Sequence, residues 1–176
     1  MAGVRYQANR GSALEDLILR TIQANSDVSA VKIPTPWTPV RHGGAIEYVF
    51  PQRATVDFIG VAAGRPVAFD AKEVSGPRFE WERVSEHQAR FLQEFSAAGG
   101  IGFLAVAWWP VNSIFLAPVE QWFALWESAR RPSMTLSRAR DGWIEVPMSQ
   151  VAVRPFGSAF WRAVGTLVRP AAEYSG

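Results

Sequence analysis

Cysteine is missing from all 176 residues, which excludes disulfides, thiolate metal sites and cysteine nucleophiles. Histidine occurs only at positions 42 and 87, too isolated to suggest a zinc motif. No apolar run approaches the length of a membrane span, and the opening residues Met1 to Gln7 carry no apolar export core. The expectation is an intracellular, cytoplasmic protein with no membrane partner. Also missing are a phosphate-cradling Gly-x4-Gly-Lys loop, a Gly-x-Ser-x-Gly elbow and a spaced-glycine dinucleotide fingerprint.

Lysine is the informative scarcity. Of 18 basic residues only Lys32 and Lys72 are lysine; the rest are arginine. This usage hints at a GC-rich source. What is abundant is core material: 48% hydrophobic and 12% aromatic residues suffice for one domain over 1–176. The net charge of +2 is uneven, about +2 over 1–53, −4 over 54–127 and +4 over 128–176. Basic flanks around an acidic middle suit a polyanion held on both sides of a cation-binding centre.

The pattern predicts helices and strands interleaved in an α/β or α+β layer. A helix opens at the Ser12–Glu15 capping box and runs to about Asn25 on Leu14, Ile18 and Ile22. A strand follows from Val28 to Ile33. Residues 37–53 read as two extended arms around Gly43-Gly44, a hairpin insertion flanked by prolines. Strands over Thr55–Ala62 and Pro66–Lys72 flank a tight connection at Ala62-Ala63-Gly64. A second capping box at Ser85–Gln88 starts a helix that ends before Gly99. Strands at Ile101–Trp108 and Ile114–Leu116 and a helix at 119–130 come next. A basic loop at 131–142 and a last helix at 158–168 complete the chain.

Lys72 closes an Asp57-x12-Asp70-x-Lys72 string. Pairing symmetric about the turn sets Asp57 opposite Asp70, and strand alternation puts Asp70 and Lys72 on one face. Lysine, unlike arginine, is a compact charge whose pKa can move beside metals and a nucleophilic water. Glu15 lies at the edge of its helix's buried face, where it either completes the capping box or supplies a third carboxylate. Gln88 shares the stripe of Phe91, Leu92 and Phe95, in position to cap its helix or to orient a carboxylate or water. Glu15, Asp57, Asp70 and the Ala71 carbonyl form a hard-oxygen set suited to Mg²⁺, with Mn²⁺ as substitute, for phosphodiester hydrolysis.

The order of these motifs resembles the RecU family of Holliday junction resolvases, within the PD-(D/E)xK nuclease superfamily. The similarity is carried by Ala8-Asn9-Arg10-Gly11 with Leu14-Glu15, Lys32-Ile33-Pro34-Thr35-Pro36, Thr55-Val56-Asp57 with Gly60, and Phe69-Asp70-Ala71-Lys72-Glu73. It continues through His87-Gln88 with Phe91-Leu92, Gly100-Ile101-Gly102-Phe103, Phe115-Leu116, Trp126 and Val153-Arg154-Pro155. The resemblance implies a homodimer with a restriction-endonuclease-like mixed sheet flanked by helices, a projecting β-hairpin stalk at 37–53 and a mobile arm at 1–10. It implies catalytic roles for Glu15, Asp57, Asp70, Lys72 and Gln88, with Thr55 a contact to phosphate or water. Asp70 stands where the family usually has glutamate.

The implied activity is metal-dependent paired nicking of four-way junctions, leaving 5′-phosphate and 3′-hydroxyl ends, in a bacterial or phage setting with a recombinase as a further partner. Arg5 and Arg10 in the arm, Lys32, and Arg41, His42 and Arg53 in the stalk are expected at phosphates. Trp37 and Tyr48 are candidates to stack on bases. The alternatives are a related nuclease cutting duplex or flapped DNA, and a non-catalytic junction-binding protein.

Overall fold

Strand pairing in the computed structural model builds a six-stranded mixed sheet; the model describes residues 12–34, 38–42, 45–49, 55–123, 133–152 and 158–167. Its strands are β1 (Val28–Lys32), β4 (Phe58–Ala62), β5 (Arg65–Val74), β7 (Ile101–Trp108), β8 (Ser113–Pro118) and β10 (Ile144–Pro147), in the spatial order 1-4-5-7-8-10. Only β5 and β7 run parallel; every other neighbour is antiparallel. A parallel pair needs a crossover. Here it consists of β6 (Arg78–Glu80), a 3-10 turn at Trp81–Arg83 and helix α2 (Glu86–Ala97).

The sheet is covered on both faces, and strand alternation assigns each residue to one of two cores. Phe103, Ala105 and Ala107 of β7 join Leu14 and Ile18 of helix α1 (Ser12–Gln23) and Phe160 and Trp161 of helix α5 (Ser158–Thr166). Leu104, Val106 and Trp108 face the other way, toward Ala89 and Leu92 of α2 and the aromatic group Phe79, Trp81 and Trp143. All eight residues of β7 are therefore buried, the pattern of a strand covered on both sides. On the first face Phe58, Phe69 and Phe103 stack across three adjacent strands at 4.9 and 4.7 Å.

The β4–β5 turn has positive φ at both Ala63 (48°) and Gly64 (74°), as a two-residue hairpin of right-handed twist requires. Gly102 is needed for a different reason. A Cβ there would stand 2.3 Å from the Leu92 carbonyl oxygen, so its absence lets α2 lie directly on β7.

Strands β2 (Thr38–His42) and β3 (Ala45–Val49) pair antiparallel as a separate two-stranded ribbon, with His42 opposite Ala45. The expected hairpin therefore forms around positions 43–44. Two segments differ from the sequence expectation. The basic loop at 131–142 instead contains β9 (Ser133–Thr135), paired with β6, and helix α3 (Leu136–Gly142). Met134 is buried opposite Phe79, and Thr135 Oγ1 accepts from the Arg138 amide at 3.4 Å as the helix cap. β10 and the short helix α4 (Met148–Ala152) were also unforeseen; β10 extends the sheet beside β8. The helix expected over 119–130 is helical at 120–123, and its remainder lies outside the described residues. The proposed arm at 1–10 lies outside them as well.

Candidate active site

The β4–β5 register pairs Phe58 with Phe69, Ile59 with Ala68 and Ala62 with Arg65. Continued by one residue, it sets Asp57 against Asp70, as symmetry about the turn predicts. Asp57 stands just before β4, and its Oδ2 accepts the Ala71 amide hydrogen at 2.8 Å. Its carbonyl accepts from the Ile33 amide at 2.7 Å, which ties the end of β1 to the same point.

Asp70 is fully buried. Its Oδ1 accepts from Gln88 Nε2 at 2.9 Å, and its Oδ2 forms an ion pair with the Lys72 ammonium. Oδ2 has no hydrogen-bond donor besides that ion-pair contact. Burial raises the Asp70 pKa from 3.8 to about 7; Lys72 pulls it down, while the nearby Asp57 charge pushes it up. A buried, under-donated carboxylate beside a second carboxylate fits a hard divalent cation, which would replace the missing donors and offset the repulsion.

Gln88 performs both roles that its position suggested. Its Oε1 accepts from the Ser85 amide (3.2 Å) and Ser85 Oγ (3.0 Å) at the start of α2, while its Nε2 holds Asp70. The helix cap thus aims the donor at the carboxylate. The Lys72 side chain is 15% exposed, beside a fully buried acid.

Glu15 is arranged differently from the expectation. Its Oε2 pairs with Lys32 Nζ at 2.5 Å, joining α1 to β1, and among the described residues no three carboxylate or histidine side chains stand close enough to hold a metal ion together. Opposite charges at this separation attract, and the pair ties the first turn of α1 to the end of β1. Lys32, expected at a phosphate, is 42% exposed and spends its charge on Glu15. The Ser12 side chain of the expected capping box is outside the described side chains.

Thr55 is exposed ahead of Asp57. The strands carrying Arg41, His42 and Tyr48 are in place, but those side chains are not among the described ones. Arg5, Arg10, Trp37 and Arg53 lie outside the described residues altogether. A cleft of about 720 Å³ bounded by Arg65, Ile101 and Glu120 lies where β5 and β7 begin and includes none of the site residues.

One acid near the site was missed. Glu73 faces the opposite side of β5 from Asp70 and Lys72; its Oε1 accepts from the Leu14 amide (3.1 Å) and its Oε2 from Trp109 Nε1 (3.0 Å). The available signal was its parity with Val67, Phe69 and Ala71, since a charge on an inward-facing apolar row needs partners.

The family model for RecU, Recombination protein U, matches residues 9–159. A curated Holliday junction resolvase RecU from Leuconostoc mesenteroides is 33% identical over 152 residues, covering 80% of this chain and 74% of its own. Another from Bacillus pumilus is 31% identical over 138 residues, covering 72% and 66%. Among solved structures, Hjc of Archaeoglobus fulgidus, a Holliday junction resolvase from an archaeal hyperthermophile, superposes with a TM-score of 0.50 at 15% identity, over 78% of this chain and 93% of its own; this supports a shared fold. The family match over most of the chain, with relatives above 30% identity, establishes that this protein belongs to the RecU family.

Proposed function

We propose that the protein is a structure-specific endodeoxyribonuclease that resolves Holliday junctions by paired nicking, leaving 5′-phosphate and 3′-hydroxyl ends. The observation that carries this reading is the meeting of Asp57, Asp70, Lys72 and Gln88 at one end of the β4–β5 hairpin in a chain of the RecU family. Its named relatives are junction resolvases.

Asp57, Asp70 and the Ala71 carbonyl, with Glu15 once it leaves Lys32, would hold Mg²⁺ or Mn²⁺. Such an ion, when bound, lowers the pKa of water and offsets charge on the leaving oxygen. The chain's own groups prepare for this. Gln88 fixes the Asp70 carboxylate through Oδ1. The Ala71 amide fixes Asp57 through Oδ2. Lys72 offsets the buried charge of Asp70 and can steady the attacking water or the developing phosphate charge. Thr55, exposed two residues before Asp57, would contact phosphate or water.

Two equivalent strands of a junction need two matching sites, which a two-fold homodimer provides. The β2–β3 ribbon would enter the open centre, with Arg41, His42, Arg53, Trp37 and Tyr48 as its contacts, and Arg5 and Arg10 would follow the phosphates.

The test is a labelled four-way junction and a matching duplex, each incubated with Mg²⁺, Mn²⁺ or chelator. Symmetric nicking of the junction alone, lost in chelator, is expected; equal cutting of both substrates removes the resolvase reading. Asp57→Asn should keep junction binding and lose at least about 100-fold in nicking. A non-catalytic junction binder would show no nicking even in the unmodified chain.

A further inference from the structure

The acid that follows Lys72 by one residue has no part in the chemistry above, yet it hydrogen-bonds the catalytic strand to helix α1. Both Glu73 oxygens are engaged by different elements: Oε1 takes the Leu14 amide in the first turn of α1, and Oε2 takes the indole N–H of Trp109 in the 3-10 turn after β7. First-turn amides of a helix have no partner within the helix, and a negative charge is favoured there. Glu73 supplies both the acceptor and the charge from a strand, and Trp109 fixes the carboxylate's orientation. The backbone is held too, since the Glu73 carbonyl accepts from Arg83 Nη1 at 2.5 Å.

The consequence falls on the next residue of the helix. Leu14 is fully buried, so pinning its amide fixes the rotation of α1 about its axis and hence the direction in which Glu15 leaves it. Glu15 pairs with Lys32, the β1 residue opposite Phe58, which adjoins Asp57. The strand that carries Asp70 and Lys72 therefore also sets, through Glu73, the position of the remaining carboxylate near the Asp57 end of the sheet. We infer that Glu73 is a positioning residue: it locks the first turn of α1 to β5 so that Glu15 can join Asp57 and Asp70 around a divalent cation. This inference rests on the nuclease reading above.

Glu73→Gln is the discriminating variant. It nearly preserves shape but removes the charge and turns an N–H₂ group toward one of two N–H donors. Mn²⁺ binding to the DNA-free protein, measured by calorimetry, should weaken about 10- to 100-fold, the usual effect of losing a group that orients a ligand. The Mn²⁺ concentration that half-saturates nicking should rise by the same factor, with junction binding in chelator unchanged and the Leu14 amide exchanging its hydrogen faster. A variant that merely loses melting temperature, with unchanged Mn²⁺ affinity of the folded protein, overturns the inference. Should E73Q fail to fold, Trp109→Phe removes one donor to the same carboxylate; it should show the same shift at smaller size, and unchanged Mn²⁺ affinity there overturns the inference equally. Failure of the nuclease reading itself looks different: the unmodified protein would then neither bind Mn²⁺ nor nick a junction, whatever the exchange rate at Leu14.

Discussion

Among the described residues, Asp70 is the one buried charged side chain. It is fully enclosed, carries one hydrogen bond and one ion pair, and has its pKa lifted to about 7 chiefly by burial. The metal-free protein therefore has a defined pH response. Below the unfolded value of 3.8 both states hold the proton and Asp70 is neutral in its effect. Between 3.8 and about 7 the folded state retains a proton that the unfolded state has lost, so stability falls as pH rises, and the full penalty is present above 7. Asp70→Asn should therefore raise the melting temperature in chelator at pH 8 and change it little near pH 4, while abolishing nicking. An equal difference at both pH values would show that burial of the charge is not the cause. Such a gain in stability at the expense of activity is what a strained functional site produces.

At the scale of elements, function depends on how closely α2 lies on the sheet. Gln88 reaches Asp70 only because the helix backbone approaches β7 at Gly102, where a Cβ would meet the Leu92 carbonyl at 2.3 Å. The nearest atom is helix backbone and only Ser96 Oγ, at 2.8 Å, belongs to a side chain, so the helix itself must shift. Gly102→Ala is expected to destabilise by about 1–3 kcal/mol, the usual range for overpacking. Denaturant unfolding measures that loss, and single-turnover nicking should fall by more than the folded fraction accounts for, because the Gln88–Asp70 bond lengthens. Activity that tracks the folded fraction would separate α2 packing from the site. The turn at Ala63-Gly64 works similarly at the other end of the hairpin, fixing the register that places Asp57 beside Asp70.

For the whole molecule, the sheet carries a core on each face, and the site lies at the open end of the β4–β5 hairpin, with Asp70 buried and Lys72 partly exposed. Net charge follows the chain: an acidic middle section that contains the site, and basic sections before and after it. Binding by many phosphate contacts should be strongly salt-dependent. With roughly 6–10 such contacts, junction affinity should drop by about 10³–10⁵ between 50 and 200 mM salt. Titration of a labelled junction in chelator at several salt concentrations measures this, and a nearly flat dependence would argue against a grip dominated by the phosphate backbone.

The pairing of Asp57 with Asp70 was legible in the sequence because it follows from local rules: a two-residue turn sets the register, and alternation then places Lys72 on the face of Asp70. The capping box at Ser85 was legible for the same reason, as was the strand at Ile101–Trp108. The tertiary structure alone decided which distant groups these residues meet. Gln88 lies 18 residues beyond Asp70, Leu14 59 residues before Glu73, and Lys32 17 residues beyond Glu15. Each pair depends on how a helix lies on the sheet, and sequence periodicity fixes a helix's face but not its depth or rotation against another element. The Glu15–Lys32 ion pair likewise exists only once the chain has brought α1 and β1 together.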